Sequence, residues 1–201
     1  MTNIQLWWVT PNLNYFANSD KNKTDVLDIY AGPNAMETIE LNGFKQDLFV
    51  HFLGASGGPK WFSLFGLDKY LFGEFFRDRT KPLNLVGSSA GAFRSACFAQ
   101  KDPVAAITKL ATRYSETDFA NDPSPQGLTR QAEELLDYVL ADDAMTQILD
   151  NPVFKTHFIV AKSKGLTAFE NRYVQGLGLI KGFVLNRFDR RHLKKQFERY
   201  V

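Results

Sequence analysis

The chain has 201 residues, 44% hydrophobic and 23% charged, which suits one globular domain and is too short for two ordinary ones. Lys and Arg number 24 against 22 Asp and Glu, and a net charge of +2 gives no argument for a nucleic-acid partner. Cys97 is the only cysteine, and His51, His157 and His192 are far apart in the chain, so no disulfide framework, no metal site and no cofactor is expected.

Residues 1 to 25 are polar and Asn-rich, broken by Trp7, Trp8 and Pro11, and read as a loosely held arm before a domain over 26–201. The first residues lack a basic stretch leading into a long apolar run, so they are not a secretory signal. No segment reaches about 18 consecutive apolar residues, so a cytoplasmic protein is expected. Pro33 and Gly43 bracket a short helix. The apolar run from Asp47 to Leu53 predicts a buried strand ending at Gly54. A helix over 58–77 follows, with Trp61, Leu64, Phe65, Leu67, Leu71, Phe72 and Phe75 at three- and four-residue steps.

Leu83 to Val86 predicts a second strand, leading into a small-residue helix over 90–100. Further helices are expected at 102–115, 127–140 and 142–149, with a loop at Asn121 to Pro125. Thr156 to Ala161 predicts a third strand, and a helical stretch closes the chain. Strands alternating with helices imply an α/β fold, a mostly parallel central sheet with helices on its faces.

Chemistry concentrates at Gly87-Ser88-Ser89-Ala90-Gly91, a G-x-S-x-G pattern between a strand and a helix. On that sharp turn a serine is lifted above the sheet edge. Side chains in place of Gly87 and Gly91 would strike the neighbouring strand and helix. The helix start aims N–H groups and its positive dipole at the serine. The bland alternative is an ordinary turn with Ser88 or Ser89 as a helix cap. A second glycine-rich turn, Gly54 to Lys60, also joins a strand to a helix. Gly57 and Gly58 there could aim two N–H groups into one cavity, at the sheet edge where open α/β sheets bind ligands. It is not a nucleotide-binding P-loop: Pro59 stands at the second glycine position and Trp61 where a hydroxyl should bind magnesium.

Together the two turns resemble the patatin-like phospholipase family, in particular a bacterial branch of it. The resemblance extends to Gly58-Pro-Lys-Trp61, Gly66-Leu-Asp-Lys-Tyr-Leu-Phe-Gly73, Asp28-Ile-Tyr-Ala-Gly-Pro33 and Ala99-Gln-Lys-Asp-Pro103, and covers roughly residues 25 to 201. It implies a three-layer α/β sandwich and hydrolysis of acyl esters of lipids by a Ser–Asp dyad without a metal. Ser89 matches the nucleophile, and Gly57 and Gly58 match the oxyanion loop, joined by the N–H of Ala90. Gly54, Lys60, Gly87 and Gly91 support the two motifs. The loop departs from the family's G-x-G-x-x-G spelling. The family's aspartate lies in an Asp-Gly motif after the serine, and no Asp-Gly pair occurs in this sequence. The chain is therefore expected to be incomplete at its C-terminal side and to lack its second catalytic residue. A serine without a base loses several orders of magnitude in rate.

Other candidates carry ordinary alternatives. His157 or His192 could serve a triad, but His192 lies in the basic stretch 190–195, where a solvated surface fits better, and His51 reads as a hydrogen-bonded core or edge residue. Asp142 and Asp143 read as a helix start, and Cys97 as packing. Residues 181–201 carry seven Lys or Arg against Asp189 and Glu198, with Val184, Phe188, Phe197 and Val201 at helical steps. A basic amphipathic helix can lie on an anionic membrane, giving peripheral contact. A surface helix with one face on the core is the preferred reading. The expected partner is a lipid or acyl-ester substrate. A scaffold that binds lipid without catalysis, or an acyltransferase with the same nucleophile, would leave the same residues in place.

Overall fold

The computed structural model describes residues 30–118, 122 and 124–201. The arm predicted over 1–25 lies outside them, as do Asn121 and Pro123 of the predicted loop. Two compact units are formed, one up to Lys45 and one from Gln46 onward. In the first, α1 (Pro33–Asn42) has proline in its first turn and ends at Gly43. Gly43 adopts φ 76° and returns its N–H to the Ile39 carbonyl at 2.7 Å, the positive-φ stop that glycine makes cheaply.

The second unit is mixed α/β. Strands β1 (His51–Gly54), β2 (Leu83–Gly87) and β3 (Phe154–Phe158) form a parallel sheet with β2 in the centre. Gly54 pairs with Gly87, and Gly87 with Phe158, so the carboxyl ends of all three strands lie together. Helices α2 (Phe65–Tyr70), α3 (Ala90–Phe98), α4 (Pro103–Glu116), α5 (Pro125–Val139) and α6 (Ala144–Asp150) fill the connections. A second, antiparallel pair, β4 (Val160–Ser163) with β5 (Phe197–Tyr200), accompanies α7 (Arg172–Phe188).

The core lies between one sheet face and α2–α4. Leu83 and Leu85 of β2 are fully buried, and Phe52 packs edge-on against Phe72 and Phe98. Phe72 and Phe98 stack in parallel with centroids 3.7 Å apart. The alternate residues face the other way: Leu53 is 74% exposed, and the exposed His157 places Nε2 3.1 Å from Asn84 Oδ1. Among the described residues of this unit, the helices packed on the sheet lie on one face, an arrangement uncommon for parallel strands.

Four elements differ from the sequence reading, the start of the first strand being the last of them. The helix predicted over 58–77 is a 3-10 turn (Gly58–Leu64), the short α2 and a π turn (Leu71–Phe75). Phe76 N–H reaches back five residues to the Leu71 carbonyl at 2.7 Å. That widened turn lets both Phe72 and Phe76 face the core. The third strand breaks after Phe158, and Val160–Ser163 leaves the sheet to pair with β5. The end of the chain is not one helix. After α7 come a 3-10 turn (Arg190–Lys195) and β5, so Val184 and Phe188 sit on a helix but Phe197 on a strand.

The first strand begins at His51 rather than Asp47, and Arg79 supplies the reason. Its buried guanidinium donates to the carbonyls of Gln46, Phe49 (2.6 Å), Lys81 (2.7 Å) and Pro82 (3.0 Å). It thereby ties the lead-in to β1 to the lead-in to β2. Arg79→Ala would leave several of these carbonyls without a donor, and unfolding by urea is expected to show a loss of about 2–4 kcal/mol. No helix among the described residues is long and apolar enough to cross a membrane.

Candidate active site

Ser89 stands between the end of β2 and the first residue of α3. Its backbone has φ 53° and ψ −127°. Only one other non-glycine residue among those described, Asp142, has a positive φ. Holding a side chain there costs on the order of 1–3 kcal/mol, so a turn with only a structural task would favour glycine. Ser89 occupies the N-cap position of α3, yet its exposed side chain makes no capping hydrogen bond. At α4, α5 and α7, by contrast, Asp102, Ser124 and Asn171 all cap with their side chains. The cap alternative for Ser89 is therefore set aside.

Three glycines allow this turn. A Cβ on Gly91 would overlap the Gly54 carbonyl, and one on Gly87 would overlap the Gly91 backbone. A Cβ on Gly54 would stand 2.8 Å from the Gly91 oxygen. The helix is thus pressed directly on the ends of β1 and β2, which the sequence pattern required of Gly87 and Gly91. Ser95 completes the contact from the helix side, its buried hydroxyl donating to the Gly91 carbonyl at 2.8 Å.

The first amides of α3 are partly occupied. Gly91 N–H donates to the Ser88 carbonyl at 3.0 Å and Ala92 N–H to the Ser89 carbonyl at 2.8 Å. The N–H of Ala90 has no acceptor among the described residues. It is the amide beside Ser89 at the positive end of the helix.

The second glycine turn follows β1 at the same sheet edge. Gly57 is extended, with φ 172°, whereas Gly58 adopts φ 52°, where glycine is favoured. The 3-10 turn that begins at Gly58 packs against α3. Lys60 is exposed on it, and its N–H returns to the Gly57 carbonyl at 3.2 Å. The structure thus gathers Gly54, Gly87, Ser89, Ala90 and Gly91 into one junction and sets Gly57, Gly58 and Lys60 on the adjoining turn. No hydrogen bond among the described residues links Gly57 or Gly58 to Ser89.

The Ser89 hydroxyl has no hydrogen-bonded partner among the described residues. His157 is engaged with Asn84, and His192 has Nδ1 3.1 Å from the Asp189 carbonyl in the 190–195 turn. Cys97 is fully buried, and burial pushes its thiol well above the ordinary range. Asp143 accepts from Gln147 at 2.7 Å within its own helix. No group of three metal-ligating side chains occurs among the described residues. A cleft of about 700 Å³ is lined by Gln100, Lys101, Asp102, Lys109 and Gln147, at the far end of α3 from Ser89.

One feature was missed from sequence. Arg94 of α3 and Asp68 of α2 form a buried bidentate pair, Nε–Oδ2 2.7 Å and Nη2–Oδ1 2.5 Å, with side chains 4% and 0% exposed. It fastens the helix behind the nucleophile to the segment behind the glycine turn. The signal was the only acid of α2 and the only charged residue of α3.

Comparison of the chain with models of known families, with curated proteins and with solved structures finds no match.

Proposed function

We propose that this chain carries the nucleophile half of a serine acyl hydrolase acting on a lipid ester, of the patatin-like kind. The observation that carries this reading is Ser89: a non-glycine residue with positive φ, exposed, uncapped and at the carboxyl end of the central parallel strand. In this reading Ser89 Oγ attacks the ester carbonyl carbon. The N–H of Ala90, with Gly57 and Gly58, receives the developing oxyanion. The serine proton passes to a base and then to the departing alcohol as its C–O bond breaks. Water, deprotonated by the same base, releases the acyl group and restores the serine.

The dyad's aspartate is not among these residues, since the sequence holds no Asp-Gly pair. The three-layer form of the family belongs to the same reading, with the open sheet face as the place for a further layer. The unpartnered Ser89 hydroxyl favours one rival, a lipid-binding protein that keeps the turn without the chemistry.

A fluorophosphonate probe, read by intact mass, tests this. Slow labelling to one equivalent is expected, abolished in Ser89→Ala and retained in Ser88→Ala. Labelling that survives Ser89→Ala, or no labelling after prolonged exposure to excess probe, would sink the hydrolase reading for this chain and favour the rival.

A further inference from the structure

Helix α7 is amphipathic in an inverted sense. Its buried side is made of glycine: Gly178 lies against Leu166 and Thr167, and Gly182 against the Gln196 side chain. At about 100° per residue, Tyr173, Leu177, Ile180 and Val184 fall within an arc of about 60° on the opposite side. All four are exposed, and Phe183 and Phe188, at 76% and 81%, flank them. A helix inside a protein normally turns such residues inward, and an apolar strip this long on a helix surface marks an interaction site.

Charge indicates which kind of partner fits. The helix holds Arg172, Lys181 and Arg187 and no acidic residue. The turn that follows adds Arg190, Arg191, Lys194 and Lys195 against Asp189. Round the helix from the strip, toward its glycine side, Lys181, Lys195 and His192 line one cleft of about 340 Å³ together with Gly178, Thr167 and Gln196. A protein groove of ordinary composition would leave these cations without counter-charges. A bilayer carrying anionic headgroups meets both halves of the pattern, with acyl chains for the strip and phosphates for its basic border.

We infer that α7 lies in the plane of an anionic lipid surface, with Ile180, Phe183 and Phe188 in the acyl region and Lys181 and Lys195 at the phosphates. Its 17 residues span about 26 Å, so the helix lies along the surface rather than crossing it. The inference does not depend on the ester chemistry of Ser89.

Co-sedimentation of the full chain with vesicles tests it. Binding is expected to vesicles of 70% phosphatidylcholine and 30% phosphatidylglycerol, and to weaken sharply in pure phosphatidylcholine or in high salt. Ile180→Asp with Phe183→Asp should reduce binding more than tenfold, and Lys181→Glu with Lys195→Glu by at least about fivefold per site. All four positions are exposed, so an unchanged melting temperature separates lost binding from lost folding. Ser89→Ala should bind as the unaltered chain does, and 10 mM inorganic phosphate should not compete. Equal binding to neutral vesicles, competition by free phosphate, or no vesicle binding would overturn the inference. A concentration-dependent dimer that Phe183→Asp dissolves, without vesicle binding, would instead assign the strip to a second copy of the chain.

Discussion

Gly91→Ala is expected to destabilise the second unit by at least about 3 kcal/mol, a fall in melting temperature of roughly 10 °C, and to abolish any reactivity of Ser89. The new methyl group would occupy the space of the Gly54 carbonyl, which is backbone and cannot rotate away. Relief requires α3 to lift from the ends of β1 and β2. That motion withdraws the Ala90 N–H from the turn and releases the constraint holding Ser89 at φ 53°. The effect therefore reaches stability and site together. Gly176→Ala is the control. A methyl there meets nothing within 4 Å on an ordinary stretch of α7. Replacing a mid-helix glycine without a clash should stabilise by roughly 0.5–1 kcal/mol. The same substitution at two helical glycines is thus expected to change sign, as thermal unfolding of the pair would show. A Gly91→Ala chain that melts with the parent would remove the close approach of helix and sheet from the account of the site.

What the sequence made legible follows from how local each cause is. The strand–turn–helix junction was readable because its requirements lie within five consecutive residues: glycines where backbones touch and a serine between them. Helix α1 was readable because Pro33 and Gly43 act on their own neighbours. The segment 58–77 was misjudged because its three- and four-residue spacing is real, while the π turn depends on Phe98 and Phe154 packing around Phe72. The start of β1 was misplaced because Arg79, some 30 residues away, takes the carbonyls that precede it. The last segment was misread for a similar reason. Phe197 to Tyr200 is a strand only because Val160 to Ser163 lies alongside it. Periodicity detects which residues want burial, and distant partners decide in which element they find it.

The buried Asp68–Arg94 pair leads to the second large effect: Asp68→Asn is expected to cost about 3–5 kcal/mol. The amide retains the shape but not the charge, so the Arg94 guanidinium, 4% exposed, would remain buried without its counter-ion. Arg94→Met should cost a similar amount by stranding the carboxylate. Replacing both together, as Asp68→Leu with Arg94→Met, should restore most of the loss, because the desolvation of both ions disappears with them. Burial pushes the Asp68 carboxyl up, while the hydrogen bond and charge of Arg94 pull it down, so the pair is a balance of desolvation against attraction. Since the pair fastens α3 to α2, its loss should also loosen Ser89 from the glycine turn. Asp68→Asn is therefore expected to slow fluorophosphonate labelling even at low temperature, where most of the chain remains folded. A double replacement that recovers stability but not labelling would show that the ion pair holds α2 and α3 in register as well as together.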